Sequence, residues 1–348
     1  MKKILSIAGD GIGKEVMPWA LALLSKISKK YDVNFEVTSV DWGADKWLKE
    51  GVGLPKGSLE AIPKNFDAIL FGALGDKRIP DMAHGKEILL GLRFGLDLFI
   101  NLRPTKLLNH SYCPLKNFEN KSIDFVIFRE NTQDIYRDIG GSISKNTEQE
   151  IAIDESIHTF FGVQRIVEAA FAYANNHKRQ KVTLIDKSNA IRNSGALWGR
   201  VFNDISQKNP HILTEHLFVD TACLKMLQNP ENFDVIVTTN LFGDILSDLA
   251  CGLIGGLGLA ASANIKPGII GLFEPVHGSA PDIAGKNLAN PFGMFLSVAM
   301  MLEFFNYQEI SKKVGESISV SLQEKFVTKD LGGTYSCDQV AEKIIERI

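Results

Sequence analysis

The chain has 348 residues, of which 45% are hydrophobic and 23% are charged, proportions that are ordinary for a folded protein and exclude extensive disorder. Its formal net charge of −3, from 38 basic and 41 acidic side chains, argues against a surface built to bind nucleic-acid phosphates. The length predicts one large α/β unit or two domains.

The cysteines and the apolar segments indicate in which cellular compartment the protein is located. The four cysteines, at positions 113, 223, 251 and 337, form no Cys-x-x-Cys pair, which favours a reducing compartment over a disulfide framework or a zinc site. The N-terminal apolar stretch ends at Asp10, too early for a signal peptide. The best membrane candidate, 251–263, is shorter than the roughly 20 residues that a spanning helix needs. We therefore expect a cytoplasmic protein without a membrane partner.

Short β-branched or aromatic runs alternate with helical patterns, which is typical of α/β folds. The clearest helix runs from 157 to 174, where apolar residues follow the i, i+3, i+4 spacing, and Asp154 or Ser156 can cap its start. The polar segment 137–154 is either a surface loop or an extended hairpin arm that a partner subunit completes. The predicted strands are 3–8, 34–40, 68–71, 98–102, 125–128, 182–185 and 234–238.

A glycine-rich turn, Gly9-Asp10-Gly11-Ile12-Gly13, follows the first predicted strand. Its third glycine comes one residue too early for Gly-x-Gly-x-x-Gly, so it is not a Rossmann fingerprint. In open α/β sheets ligands bind beyond the carboxyl ends of strands, which makes this a candidate binding turn. A tight turn without a ligand remains the alternative.

Three arginines, Arg93, Arg103 and Arg129, stand near predicted strands, and the last two directly follow apolar strand residues. Guanidinium groups bind carboxylates through two parallel hydrogen bonds, so three converging arginines would suit a di-acid substrate. Any one of them could instead form a surface ion pair, and their convergence cannot be seen in the sequence.

Three aspartates form a candidate metal site. Asp244 and Asp248 are four residues apart, so a helix would place both carboxylates on one face. Asp220, which follows an apolar run, could add a third carboxylate. Such oxygen ligands suit Mg²⁺ or Mn²⁺. The alternative is that the acidic pair only stabilises the start of a helix.

Lys187 and Tyr136 are candidates for proton transfer. Lys187 comes directly after the predicted strand 182–185. A lysine and a tyrosine near a metal could accept and donate protons, with their pKa values lowered by the cation. Either residue alone could be structural.

The long segment 273–285 is rich in Gly, Pro and Ser and contains His277, with Asn290-Pro291 downstream. This composition indicates an ordered loop. A binding role and a structural role for the histidine both remain open.

Together these stretches resemble the β-decarboxylating dehydrogenases, a family whose members act on 3-isopropylmalate, isocitrate, homoisocitrate, tartrate or D-malate. The specific motifs are Asn-Leu-Arg-Pro at 101–104, the run 240–248 and the loop 273–285. The resemblance implies a two-domain α/β fold like that of isopropylmalate and isocitrate dehydrogenases, not a Rossmann fold.

The same resemblance implies a homodimer with active sites shared between subunits. A discontinuous cofactor-binding domain would comprise 1–98 and 256–348, and a middle domain, 99–255, would carry the substrate and metal residues. The arm at about 137–154 would clasp the partner subunit.

Site roles follow from the resemblance residue by residue. The three arginines, with Leu89 and Leu90, would hold a 2-hydroxy di-acid. Asp244 and Asp248, with Asp220 from the other subunit, would bind Mg²⁺ or Mn²⁺. Tyr136, with Lys187 from the other subunit, would handle protons. The cofactor residues would be Ile12, Asn189, Glu274, His277, Gly278, Ser279, Ala280, Asp282, Ile283 and Asn290.

Cofactor and substrate choice can also be predicted. Asp282 stands where NAD-using members place an acid, which binds a ribose 2′-hydroxyl and repels a 2′-phosphate, so we expect NAD. The turn 88–91 is apolar and offers no cation to a third carboxylate. An isopropyl group would bury against Leu89 and Leu90 with a gain of roughly 2 kcal/mol. This favours 3-isopropylmalate, oxidised and decarboxylated to 4-methyl-2-oxopentanoate as in leucine biosynthesis.

Three departures from isopropylmalate members keep D-malate or tartrate open as the substrate. Asn131 stands where those members more often have Leu, Gln133-Asp134 replaces Glu-Gly or Gly-Gly, and Leu249 stands where Glu is frequent. Homoisocitrate and isocitrate are further alternatives. A non-catalytic regulatory subunit would belong to a different class, but such chains lose part of the catalytic set, which is complete here.

Overall fold

A computed structural model describes residues 1–119 and 121–348. Its strands are β1 Lys2–Gly9, β2 Phe35–Val40, β3 Ala68–Ala73, β4 Ile100–Lys106, β5 Asp124–Glu130, β6 Gly140–Ile143, β7 Ile151–Asp154, β8 Lys181–Asp186, β9 Leu213–Phe218, β10 Val235–Thr238, β11 Ala261–Lys266 and β12 Ile270–Pro275. Its α-helices are α1 Gly13–Tyr31, α2 Ala44–Glu50, α3 Ser58–Asn65, α4 Ala83–Gly85, α5 Gly91–Gly95, α6 Phe160–Asn176, α7 Arg192–Ser206, α8 Val219–Gln228, α9 Asn240–Leu253, α10 Phe292–Phe304, α11 Gln308–Gln323 and α12 Cys337–Arg347.

The chain divides into two compact units. Unit 1 contains Met1–Leu98, 106–119 and Cys251–Ile348, and unit 2 contains Phe99–Thr105 and Lys121–Ala250. The segment 106–119, which the sequence analysis assigned to the middle domain, belongs to unit 1. In that unit the Ser319 hydroxyl donates to the Leu108 carbonyl.

The sheet of unit 1 has the strand order β2-β1-β3-β12-β11. The first four strands are parallel neighbours, and β11 is antiparallel to β12. β3 and β12 are buried along their whole length, as expected for strands that are covered on both faces. Leu5, Ile7, Phe71 and Leu272 contribute to the core of this unit.

The sheet of unit 2 has the strand order β4-β5-β10-β8-β9. β5, β10, β8 and β9 run parallel, with Thr238 of β10 opposite Arg129 of β5 and Ile185 of β8. Their carboxyl ends therefore lie at one edge, where polar residues follow the buried strand residues. That edge carries the candidate site described below.

The segment 137–154 forms a hairpin, which was one of its two predicted interpretations. β6 and β7 are antiparallel, and every residue of both strands is exposed. Four large apolar residues of this region are exposed as well: Ile139, Ile143, Ile151 and Ile153. A two-stranded hairpin packed on nothing is marginally stable in water.

Most predicted strands are confirmed with ends shifted by one to a few residues, but β9, β11 and β12 were not predicted. The predicted helix at 157–174 begins later, at Phe160. Its N-cap is Thr159, whose hydroxyl accepts from the Gly162 N–H. The predicted caps were wrong because Asp154 ends β7 and the Ser156 hydroxyl binds Asp134. Among the described helices, none has the length and hydropathy needed to cross a membrane.

Candidate active site

A buried arginine lies at the carboxyl edge of the unit 2 sheet. Arg129, near the end of β5, is 1% exposed. Its Nε donates to Asn240 Oδ1 at 2.8 Å, and its Nη1 donates to Asp244 Oδ1. Asn240 and Asp244 belong to the first turns of α9, which follows β10. The guanidinium thus joins two neighbouring strand ends.

A second arginine reaches the same helix. Arg103 of β4 donates from Nε to Asn101 Oδ1 at 2.9 Å and from Nη1 to Ser247 Oγ at 2.9 Å. Its guanidinium nitrogens also lie 3.9 Å from Asp244 Oδ1 and 3.8 Å from Asp248 Oδ1. Two of the three predicted arginines therefore converge on the α9 carboxylates.

Helix α9 approaches Arg129 closely because of a glycine. A Cβ on Gly243 would lie 2.5 Å from Cγ and 2.6 Å from Cβ of Arg129. Any larger residue would displace the helix or the arginine. This requirement was not noticed in the sequence.

Tyr136 lies in the same cluster. Its hydroxyl donates to Asp244 Oδ2 at 2.8 Å, and the Arg129 guanidinium carbon is 5.2 Å from its ring centre. Burial raises the pKa of Tyr136, the positive charge of Arg129 opposes this, and the bond to Asp244 adds to the rise. The phenol is therefore protonated at neutral pH and available as a proton donor.

Asp244 and Asp248 project from one face of α9, with side chains 41% and 65% exposed. Burial favours the neutral form of Asp244, but the charge of Arg129 and the bond from Tyr136 hold the pKa of that carboxyl below its usual range. Two accessible carboxylates one turn apart fit a divalent cation that prefers oxygen ligands. Within the described chain, no group of three or more His, Cys, Asp or Glu side chains could hold a metal.

Lys187 and Asp220 form a second group, joined by an ion pair at 2.8 Å. The neighbouring Lys187 lowers the pKa of Asp220. Lys187 follows β8, and Asp220 stands in the first turn of α8 after β9, at the same sheet edge as α9. Across the described residues, no hydrogen bond or ion pair links this pair to Asp244 or Asp248.

In unit 1, Arg93 is buried in an ion pair. Its Nη2 donates to Glu274 Oε1 at 2.9 Å, and the Asn264 amide donates to the same oxygen at 2.8 Å. Glu274, predicted to bind cofactor, is thus engaged with an arginine that was predicted to bind substrate. The pairing was missed because the two residues are 181 positions apart.

The predicted specificity turn has π-helical geometry over Lys86–Leu90, between α4 and α5. Such turns are rare and are frequent at functional sites. Leu89 packs against the core of unit 1, whereas Leu90 is half-buried and does not join that cluster. Of the two predicted leucines, Leu90 is therefore the one that lies outside this core cluster.

The glycine turn packs against the loop after β12. The Ile12 N–H donates to the Ser279 carbonyl at 2.9 Å. Gly11 has φ +50°, and a Cβ there would lie 2.1 Å from the same oxygen. Both the left-handed backbone and the close approach require glycine. Two of the predicted cofactor residues, Ile12 and Ser279, are therefore in contact.

The remaining predicted cofactor residues differ in what they offer a ligand. His277 Nδ1 faces the Gly278 carbonyl at 3.0 Å, and its Nε2 is buried with no hydrogen-bond partner. With the proton on Nδ1, Nε2 is an acceptor for a ligand amino group, which fits the adenine end of a dinucleotide. Asn290 instead binds Asp330 and the backbone of α10. Asn189, Gly278 and Asp282 are exposed, and Ala280 and Ile283 are half-buried.

Some site neighbours were not predicted. Asn101 and Arg103 share a strand face two residues apart, a spacing that could have revealed their hydrogen bond. In unit 1, Asp10 accepts from the Ala44 N–H and pairs with the fully buried His84 at 2.9 Å. No local pattern indicates this second pair.

Comparison with known proteins identifies one family over nearly the whole chain. The family model described as isocitrate/isopropylmalate dehydrogenase matches residues 3–344. The 3-isopropylmalate dehydrogenase of Bifidobacterium longum (strain DJO10A) is 42% identical over 349 residues, covering 99% of this chain and 98% of that protein. The enzyme of the same name from Streptomyces griseus is 42% identical over 344 residues, covering 98% and 97%.

Solved structures are similar as well. The crystal structure of isocitrate dehydrogenase from Methylococcus capsulatus superposes with a TM-score of 0.89 at 35% identity, covering 100% of this chain and 99% of that one. The TT0538 protein from Thermus thermophilus superposes with a TM-score of 0.85 at 33% identity, covering 99% and 68%. The resemblance and the fold class predicted from the sequence are confirmed.

Proposed function

The chain belongs to the isocitrate/isopropylmalate dehydrogenase family and is a decarboxylating dehydrogenase, and we propose that its reaction is the NAD- and metal-dependent oxidative decarboxylation of 3-isopropylmalate. The observation that carries this proposal is the cluster in which Arg103 and Arg129 converge on Asp244 beside the Tyr136 hydroxyl. It combines donors for a carboxylate, ligands for a cation and a proton donor. Arg93 is the third arginine that we assign to substrate.

The choice of 3-isopropylmalate has two supports. The curated relatives carry that name at about two-fifths identity over nearly full length. Leu90 offers an apolar side chain beside the core, and burying an isopropyl group there would contribute about 2 kcal/mol, or roughly 30-fold in kcat/KM. The product is 4-methyl-2-oxopentanoate with CO₂, as in leucine biosynthesis.

We assign Mg²⁺ or Mn²⁺ to Asp244 and Asp248, completed by Asp220 of a second subunit. When bound, such a cation supplies positive charge that acidifies the 2-hydroxyl and stabilises the enolate formed on decarboxylation. Bound NAD⁺ would supply the hydride acceptor for C2, and the neutral amine of Lys187 would accept the hydroxyl proton. After CO₂ leaves, Tyr136 donates its proton to the carbon. The guanidinium groups orient the di-acid throughout.

We propose NAD as the cofactor, held by unit 1. The unpartnered Nε2 of His277 fits an adenine amino group, and the exposed carboxylate of Asp282 is free to accept from a ribose 2′-hydroxyl. The same carboxylate would repel a 2′-phosphate. A lower KM for NADP than for NAD would refute this assignment.

We also propose a homodimer with shared active sites. Lys187 and Asp220 pair with each other, and neither binds Asp244 or Asp248 among the described residues of the same chain. This supports a role for the pair in the active site of a second subunit. The exposed apolar hairpin supports its role as an intersubunit clasp. The free cysteines support a reducing compartment, which we take to be the cytoplasm.

The test is a substrate panel. Purified protein with NAD and Mg²⁺ or Mn²⁺ is given 3-isopropylmalate, D-malate, tartrate, isocitrate or homoisocitrate, and NADH is followed. We expect the highest kcat/KM for 3-isopropylmalate, and we expect Leu90→Ala to lower that value by roughly tenfold while D-malate is unaffected. No turnover of any of these acids despite NAD binding would indicate a non-catalytic subunit.

D-malate is the second candidate because Asn131 and Leu249 depart from the isopropylmalate pattern. Asn131 is 1% exposed and its N–H donates to the Phe99 carbonyl. D-malate also has only two carboxylates. A higher kcat/KM for D-malate than for 3-isopropylmalate would make it the substrate and reduce Leu90 to a packing residue.

A further inference from the structure

A chain of hydrogen bonds runs from α7 to the start of α9, with buried side chains at its two ends and the exposed Ser156 between them. The Trp198 Nε1–H donates to His158 Nδ1 at 3.2 Å, His158 Nε2 lies 2.8 Å from Ser156 Oγ, and that hydroxyl lies 2.5 Å from Asp134 Oδ1. Trp198 is 1% exposed, and the side chains of His158 and Asp134 are each 5% exposed. All four residues belong to unit 2.

The two ends of this chain fix its direction. An indole nitrogen can only donate, so His158 Nδ1 must accept and the imidazole proton must be on Nε2. A carboxylate can only accept, so the Ser156 hydroxyl must donate to Asp134 and accept from His158 Nε2. Both arguments give the same arrangement, with neutral His158. Burial lowers the pKa of His158 and the nearby Asp134 opposes this, which agrees with the neutral form.

The chain ends on a residue in an unusual backbone conformation. Asp134 has φ +72°, in the region that favours glycine and that a non-glycine residue occupies at a cost. Its Oδ2 accepts from the Leu241 N–H at 2.9 Å, one of the free amides in the first turn of α9. Its Oδ1 accepts from the Ile135 N–H at 2.9 Å. One carboxylate thus holds both the turn that leads to Tyr136 and the start of the helix that carries Asp244.

We infer that Asp134 is a positioning residue, oriented by Trp198, His158 and Ser156, which keeps the Tyr136 hydroxyl on Asp244. This inference rests on the proposed function, in which Tyr136 donates a proton. The Tyr136–Asp244 distance of 2.8 Å depends on two separate segments. Asp134 is the side chain that binds the backbone of both.

The test compares variants that cut the chain at different points. Ser156→Ala removes the link between His158 and Asp134, and Asp134→Gly removes the carboxylate while relieving the backbone strain. The control is Ser25→Ala, at an exposed serine of α1. We expect Ser156→Ala to lower kcat by about tenfold, the scale of one lost charge-assisted hydrogen bond, and Asp134→Gly, which loses three bonds to the carboxylate, to lower kcat at least as much. The KM for the di-acid should change by less than about twofold, because the arginines are untouched.

A second readout needs no substrate. Nitrogen-15 NMR of the wild type, with the His158 signal assigned from His158→Gln, should show the Nε2–H tautomer and slow exchange of the Trp198 indole proton. In Ser156→Ala the His158 Nε2–H should exchange faster with solvent. Ser25→Ala should leave the His158 and Trp198 signals unchanged.

The outcomes are distinct. Wild-type kcat in Asp134→Gly, or gained stability with unchanged activity, would mean that Asp134 is merely strained and would overturn the inference. An unchanged His158 signal in Ser156→Ala would also overturn it. If the wild type turns over no di-acid, the proposed function fails, and the NMR result alone then decides whether the chain orients Asp134.

Discussion

Replacing Gly243 by alanine tests how closely α9 packs on Arg129. The new Cβ would lie 2.5 Å and 2.6 Å from two carbons of the arginine stem, where carbon atoms normally stay about 3.5 Å apart. The stem cannot move aside freely, because Arg129 is 1% exposed and its guanidinium is bound to Asn240 and Asp244. We therefore expect the helix start or the guanidinium to shift.

The expected change in the free energy of unfolding of Gly243→Ala follows from two opposing effects. Overpacking of this kind costs about 1–3 kcal/mol, whereas glycine-to-alanine inside a helix gains about 1 kcal/mol. Gly252 lies in the same helix, and a Cβ there meets nothing within 4 Å. The helix-propensity gain is common to both substitutions, so Gly243→Ala should be less stable than Gly252→Ala by about 1–3 kcal/mol, the overpacking alone.

The assay is urea unfolding of both variants and the wild type, with di-acid binding measured alongside. Gly252→Ala should be slightly more stable than the wild type and bind the di-acid equally well. Gly243→Ala should be less stable than Gly252→Ala and bind the di-acid more weakly. Equal unfolding free energies for the two alanine variants would refute the packing of α9 on the arginine stem.

Three further predictions concern Tyr136, the Arg93–Glu274 ion pair and the carboxyls of Asp134 and Asp244. Tyr136→Phe should slow decarboxylation more than hydride transfer in single-turnover assays, because it removes the proton donor bound to Asp244; equal loss of both steps would contradict that role. Glu274→Ala leaves Arg93 buried without its 2.9 Å partner and should cost about 3 kcal/mol of unfolding free energy in urea, so an unchanged midpoint would count against the ion pair. The pKa values of the Asp134 and Asp244 carboxyls are held below their usual range in the folded protein. The stability they provide is therefore present above about pH 4 and is lost as the pH falls through their folded pKa values. Asp134→Asn should accordingly flatten the acid side of the stability profile, and an unchanged slope would refute this.

Strand prediction succeeded for several buried strands but not for β12, which is buried along its whole length and whose residues from Phe273 onward were assigned to a loop. The apolar runs of β3, β5 and β8 mark strands that are covered on both faces, so composition alone indicated them. β9 was missed because it is largely exposed and carries polar residues. β11 was missed because its buried face includes Ser262 and Asn264, which hide the hydrophobic pattern.

The candidate site could be predicted where its residues come directly after parallel strands. Arg129 and Asp244 do lie together, as expected for residues that follow neighbouring parallel strands and meet at one edge of the sheet. The partner of Arg93 was not predicted, since Glu274 is distant in the chain and was assigned to the cofactor loop. The hydrogen-bond chain to Asp134 also escaped prediction. Ser156 was interpreted as a local helix cap, but its hydroxyl donates to Asp134 instead.

The exposed hairpin has a consequence for how the protein would behave on dilution. Loop tips that pack on nothing are preferred sites of proteolytic nicking, and the tip between β6 and β7 is exposed along its length. In the proposed dimer, a second subunit would cover it. Mass action then makes the protection of this tip depend on protein concentration, so the rate of cleavage between Ile143 and Ile151 would measure the fraction of free subunits.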